Sequence, residues 1–306
     1  MGATASHALP NFFVIGAQKS GTTALYYHLR SHPEVYMSPV KEPQFFAPDL
    51  ARPSTGPGDR SSYKFQDVKA YSGLFAGVRT ESAVGEASVG YLYSAVAARR
   101  IAEVVPDARL IAVLRNPVDR AHSNFLHLVR DGREPCRDFA SALAAEEDRR
   151  RRGWSANWHY RAKGYYGSQI ARYLDVFPRD RLRVYLYDDF EERPLDVLDD
   201  IARFLAVEAA FDQDLSLRLN VAGIPRRPRL YGLLRRMERL KWAANAVTPA
   251  WVRRSALAWQ NRTLERPAVP HELRRELMAG YQDDLALLQQ RTGLDVSRWS
   301  QPPVDG

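Results

Sequence analysis

The stretch Phe12-Phe13-Val14-Ile15-Gly16-Ala17-Gln18-Lys19-Ser20-Gly21-Thr22-Thr23 decides the fold. Phe12 to Ile15 is a short apolar, β-rich run of the kind that forms a buried parallel strand. A Gly/Ser/Thr turn follows, and Ala24 to Arg30 reads as helix. A strand entering a helix through such a turn presents backbone N–H groups and the positive end of the helix dipole to an anion. The nucleotide-triphosphate loop reads G-x-x-x-x-G-K-S/T. Gly16 and Gly21 keep that spacing, but Thr22 stands at the lysine position and the lysine is inside the loop, at Lys19. A lysine after the second glycine serves the β- and γ-phosphates, and the hydroxyl beside it helps hold Mg²⁺. A lysine inside the loop meets the 5′ end of a shorter anion instead. Charge that builds on a leaving oxygen there is stabilised more in the transition state than in the ground state.

Outward from this loop, strands and helices alternate. Ala83-Val84-Gly85 reads as a second buried strand, leading to a helix around residues 94–104. Arg109 to Leu114 is the clearest strand, and Asn116-Pro117 opens a helix with proline where a first turn tolerates it. Gly167 to Phe177 is amphipathic, Leu182 to Tyr187 alternates as a strand does, and Leu195 to Leu205 is helical. This order predicts an α/β fold, a P-loop-like parallel sheet flanked by helices. Residues 49–63 read as a loop, with Pro53, Gly56, Pro57 and Gly58. After Asn220 the pattern turns helical and Arg-rich. The expected organisation is one domain over residues 1–306. Residues 1–220 form its α/β core; residues 221–306 form a late loop and a helical C-terminal region.

Composition narrows the function. The 306 residues carry 44 Lys+Arg against 36 Asp+Glu, a formal charge of +8. That balance favours anionic partners. Arginine supplies most of it, and the run Arg149 to Arg152 reads as a solvated helix end rather than a nucleic-acid contact. Cys136 is a single cysteine, which excludes an internal disulfide or a cysteine metal cluster. No early apolar targeting segment and no apolar run of bilayer-spanning length is present, so a cytoplasmic protein without membrane insertion is expected.

The chain resembles the sulfotransferases that use 3′-phosphoadenylyl sulfate (PAPS), in their bacterial and heparan-sulfate-type branch. The resemblance rests on Gln18-Lys19-Ser20-Gly21-Thr22-Thr23, His32-Pro33, and Lys41-Glu42-Pro43-Gln44-Phe45-Phe46, and runs over nearly the whole chain. It implies that Lys19, Ser20, Gly21, Thr22 and Thr23 bind the donor, with Lys19 acting on the leaving oxygen. It implies further that Arg115 and Ser123 hold the donor's 3′-phosphate, in keeping with the planar donor fork of arginine. A late loop, Leu219 to Arg227, resembles the segment that closes over the same phosphate, with either Arg226 or Arg227 making the contact.

Two residues compete for the acceptor's proton. Gly85-Glu86-Ala87-Ser88-Val89-Gly90-Tyr91 resembles the segment whose glutamate is the base in the heparan-sulfate branch; its plain alternative is an acid at a helix start. His127 lies four residues beyond Ser123, on one helical face with it, and matches a histidine near the sulfuryl group in that branch. Lys163-Gly164-Tyr165-Tyr166 resembles a stretch near donor and acceptor, where the tyrosines either line the cleft or pack the core. Asp119 and Arg120 read as a charge pair at a helix start. Trp242, Trp251 and Trp259 read as packing residues.

The resemblance implies transfer of a sulfuryl group from PAPS to a hydroxyl or amine of a small-molecule, carbohydrate or natural-product acceptor. No His/Asp/Glu spacing suits a metal, and sulfuryl transfer needs less charge neutralisation than transfer from ATP, so no metal is expected. The rival readings are an ATP-dependent kinase with an altered loop, which Thr22 opposes, and a basic nucleic-acid-binding module, which charge alone suggests.

Overall fold

The structure is a computed structural model describing residues 9–51, 54–57, 65–211, 224–225, 264–265 and 267–300. It begins with β1 (Phe12–Gly16), α1 (Thr22–Ser31), β2 (Val35–Met37), α2 (Val68–Ser72), β3 (Ala83–Ala87) and α3 (Ala97–Val104). Next come β4 (Arg109–Leu114), α4 (Pro117–Arg130), α5 (Phe139–Ala144) and α6 (Glu146–Arg151). Then follow α7 (Tyr166–Leu174), β5 (Leu182–Leu186), α8 (Tyr187–Glu192) and α9 (Pro194–Leu205). A longer helix spans His271–Thr292.

The strands form one five-stranded sheet in the order β2-β3-β1-β4-β5, parallel throughout. β1 is central and buried along its whole length. Its side chains alternate between two apolar layers, as the period of a strand requires. Phe12 and Val14 pack with Leu25, Leu29 and Ile201 on one face. Phe13 and Ile15 pack with Phe46, Tyr91, Ile170 and Leu288 on the other. From β1 the chain crosses outward to β2, returns to β3, and then passes β1 to reach β4. This reversal makes the C-terminal end of β1 the switch point, where open α/β sheets take their ligands.

Local chemistry sets the element boundaries. Asn116 accepts hydrogen bonds from the Val118 and Asp119 amides at 3.0 and 3.3 Å, so it caps α4 with Pro117 as the first helical residue. The helix expected near residue 94 begins at Ala97, whose amide donates to the Ser94 hydroxyl at 3.1 Å. The second predicted strand runs two residues past Gly85, to Ala87. β2 escaped the sequence reading because three residues show no usable period. Pro48–Leu50, at the start of the expected loop, makes one turn of 3₁₀ helix.

One expectation needs correcting. Arg149, read as solvated, is 4% exposed and forms a 2.6 Å ion pair with the buried Glu134. Its neighbours Arg150, Arg151 and Arg152 do face solvent. The helix His271–Thr292 lies along α7. Its Asp284 carboxylate accepts the Gly167 and Ser168 amides at 2.6 and 2.8 Å, so one helix caps the start of the other.

Candidate active site

The phosphate loop leaves the end of β1 and is tied down at once, since the Ala17 amide donates to the Val113 carbonyl of β4 at 2.8 Å. Lys19 and Gly21 both take left-handed backbone conformations, with φ of 70° and 78°. Glycine tolerates that region; lysine does not favour it, and such strain gathers at functional sites. A side chain at Gly21 would also come within 3.0 Å of the Tyr187 ring. Thr22 and Thr23 open α1. Ser20 is buried, and its Oγ has no hydrogen-bond partner among the described residues. Buried hydroxyls are ordinarily satisfied, so an orphan at the head of this loop suits a ligand oxygen.

Arg115 follows β4 and reaches the loop. Its Nη1 lies 3.5 Å from the Lys19 carbonyl oxygen, and its guanidinium sits 4.8 Å over the Tyr187 ring. The Tyr166 hydroxyl donates to the Arg115 carbonyl at 3.0 Å, which fixes the backbone from the α7 side. Tyr166 is therefore a buried packing residue. Ser123 is buried on α4. Asp119 and Arg120, read as a pair, take other partners: Asp119 pairs with Arg274, and Arg120 is enclosed, donating to the Tyr160 carbonyl.

His127, one turn beyond Ser123, keeps 31% of its side chain exposed. Its Nδ1 lies 2.7 Å from Arg130 Nη2, and its Nε2 lies 3.7 Å from an Asp131 oxygen. Burial and then the charge of Lys19 push its pKa below the usual histidine range, so it is neutral at neutral pH.

Glu86 occupies a different setting. It is buried without residual exposure near the end of β3. Oε1 accepts the Tyr71 and Tyr91 hydroxyls at 2.8 and 2.7 Å, and Oε2 accepts the Ser88 hydroxyl at 2.7 Å. Loss of hydration raises its pKa to about 7 against the lowering effect of those three donors. The sequence segment that flagged Glu86 thus contains two of its three partners.

The ends of β1, β3 and β4 and the start of α4 bring Lys19, Ser20, Arg115 and Ser123 to the switch-point end of the sheet, with Glu86 at the end of β3. Arg226 and Arg227 lie outside the described residues, as do Trp242, Trp251 and Trp259. The short strand Ile224–Pro225, just before the two arginines, pairs with Leu264–Glu265 and lies against α4. Sequence reasoning left Lys163 out of the site, although its Nζ donates to Gln18 at 2.7 Å. Among the described residues, no group of three or more His, Cys, Asp or Glu residues could hold a metal ion, and no helix is long and apolar enough to cross a membrane.

The fold has a counterpart in a solved structure. A sulfotransferase from Alicyclobacillus acidocaldarius is 37% identical, with a TM-score of 0.77, over 96% of this chain and 100% of that one. The chain belongs to the sulfotransferase family. The model of that family matches residues 92–212, which include Arg115, Ser123 and His127. Human bifunctional heparan sulfate N-deacetylase/N-sulfotransferase 3 is 31% identical over 210 residues, 65% of this chain. Its mouse counterpart is 30% identical over 227 residues. The chain spans only 22% and 24% of the length of these two relatives. Within the sulfotransferase family, the parallel sheet and its flanking helices are the expected frame.

Proposed function

We propose that the protein transfers a sulfuryl group from PAPS to a hydroxyl or amine of an acceptor. The observation that carries this reading is the phosphate loop itself. Its lysine lies inside the turn, Thr22 replaces the lysine that a triphosphate would need, and the buried Ser20 hydroxyl has no partner among the described residues. In this reading the acceptor atom attacks sulfur in line, forming the new bond as the bond from sulfur to the bridging oxygen breaks. The departing electron pair stays on the 5′-phosphate of adenosine 3′,5′-bisphosphate. Lys19 stabilises the charge that grows there. Arg115 and Ser123 take the 3′-phosphate, a role suited to a charge-assisted pair and a neutral donor.

The acceptor's proton goes to Glu86. A carboxyl held near pKa 7 is matched to that task at neutral pH. Because three hydroxyls occupy its oxygens, the proton arrives through one of them. A second reading is favoured by one observation: His127 keeps part of its side chain exposed, whereas Glu86 is fully enclosed. The heparan sulfate N-sulfotransferase relatives make a carbohydrate one acceptor class to screen first.

Calorimetry with adenosine 3′,5′-bisphosphate and with Mg²⁺-ATP tests the donor assignment. The bisphosphate is expected to bind and ATP to bind poorly, and Arg115→Ala should weaken the bisphosphate by roughly 1.5–3 kcal/mol. Equal affinity for ATP overturns the reading in favour of a kinase.

A further inference from the structure

Lys163 lies in the turn before α7, 8% exposed, and its Nζ donates to Gln18 Oε1 at 2.7 Å. The same ammonium stands 5.7 Å from the centroid of the Tyr93 ring. The surrounding backbone is held from several sides. Glu146 accepts the Arg161 and Ala162 amides at 2.6 and 2.9 Å, Gln169 donates to the Lys163 carbonyl at 3.2 Å, and the Tyr281 hydroxyl donates to the Arg161 carbonyl at 3.0 Å. The direction of the lysine is thus set by the fold. Taking an ammonium out of water is costly, and here it donates to a neutral amide. An expensive charge aimed at the residue that precedes Lys19 calls for a functional account.

Gln18 lies between two fixed points of the phosphate loop. Ala17 is tied to β4, and Lys19 takes its left-handed conformation. The Gln18 side chain links the outer limb of the loop to the turn before α7. We propose that Lys163 is a positioning residue of the donor site, whose ammonium, through Gln18, fixes the course of the loop and the place of Lys19. The proposal rests on the donor reading above.

A protonation dependence follows. Burial lowers the Lys163 pKa to about 7, with Arg120 lowering it further and Glu42 and Glu146 raising it. The neutral His159, hydrogen-bonded to Tyr93 through Nδ1 at 2.9 Å, also adjoins this group. The charged lysine serves the loop, and a bound anion favours the charged form. Donor affinity therefore falls as pH rises through neutrality and above.

The test is calorimetric titration with adenosine 3′,5′-bisphosphate between about pH 7 and about pH 9, above the range where its own phosphates finish ionising. Wild-type affinity is expected to decline across that window. Lys163→Met should bind about tenfold more weakly at pH 7, the loss of one well-placed charge, and show no decline. Lys163→Arg keeps its charge, so it should bind more tightly than Lys163→Met at about pH 9 and also show no decline. Glu86 titrates in the same region, but its contribution would persist in Lys163→Arg. Gln18→Leu should mimic Lys163→Met, and the double variant should lose nothing further. Thermal melts confirm that each variant is folded; if Lys163→Met is not, the Lys163→Arg profile and Gln18→Leu decide. A folded Lys163→Met with wild-type affinity and wild-type pH slope overturns this proposal alone. Wild-type protein that binds no bisphosphate overturns the donor reading and this proposal with it.

Discussion

The Tyr91 hydroxyl donates to Glu86 Oε1 at 2.7 Å, and Tyr91 is itself buried against Phe13 and Phe46. The carboxyl is therefore held by donors that cannot turn away, in surroundings that penalise its charge. Donors of this kind lower a carboxyl pKa, and burial raises it; here burial wins and leaves Glu86 near 7. The balance has consequences for both stability and chemistry.

Glu86 binds its proton more tightly in the folded protein than in the unfolded chain, where its ordinary value is 4.5. The folded state thus holds the extra proton between about pH 4.5 and about pH 7, and stability from this group falls as pH rises through that window. The full swing is roughly 3 kcal/mol. Buried histidines such as His122 and His159 titrate with the opposite slope, so the difference between wild type and Glu86→Gln is the quantity to follow. Urea denaturation at several pH values should show Glu86→Gln gaining on wild type as pH rises. A difference that stays constant from acid to neutral pH would mean that Glu86 titrates normally.

Gly167 is where α7 meets the helix His271–Thr292. A methyl group there would fall 2.0 Å from the Asp284 carbonyl oxygen and 2.9 Å from the Leu288 amide nitrogen. Both are backbone atoms, so relief requires moving one helix. Gly167→Ala should cost about 1–3 kcal/mol, the usual penalty of overpacking, despite alanine's better helix propensity. A thermal midpoint equal to or above wild type would show that the helices are less closely packed than described.

Lys19→Ala separates binding from chemistry. If Lys19 acts on charge that appears only during transfer, turnover should drop on the order of 10²–10³ while bisphosphate affinity falls much less. Near-wild-type turnover would reduce Lys19 to a residue of the loop.

What was legible in the sequence follows from period and position. β1 and β4 could be read because apolar runs of strand length ended at turn residues, and β5 because its residues alternate. The phosphate loop could be read because the two glycines and Lys19 sit at a strand–helix junction. Contacts between distant segments could not be read. Nothing local in Arg149 announces Glu134, and nothing in Asp284 announces that it caps α7. Lys163 was visible as a residue type within a matching stretch, but its link to Gln18 spans 145 positions and exists only in the folded chain.

The choice of base is decided by two substitutions and one profile, measured on an acceptor found by screening with PAPS. Glu86→Gln keeps the shape of the side chain and removes its basicity. If Glu86 takes the proton, turnover should fall by about 10²–10⁴ while bisphosphate binding survives. If His127 takes it, His127→Ala should show that collapse and Glu86→Gln should be only mildly impaired. The pH–rate profile differs in sign-determined ways. With Glu86 as base and PAPS saturating, kcat/KM for the acceptor rises as its carboxyl ionises and levels off above about pH 7. With His127 as base, its lowered pKa leaves the rate flat through neutrality, falling only in acid. The enclosure of Glu86 adds a further expectation, since a proton that reaches it through a hydroxyl must pass Ser88, Tyr71 or Tyr91. Ser88→Ala removes the partner of Oε2 with the smallest change in packing. A turnover loss in Ser88→Ala that vanishes in the Glu86→Gln background would trace the proton's route through that hydroxyl, whereas additive losses would place Ser88 outside it.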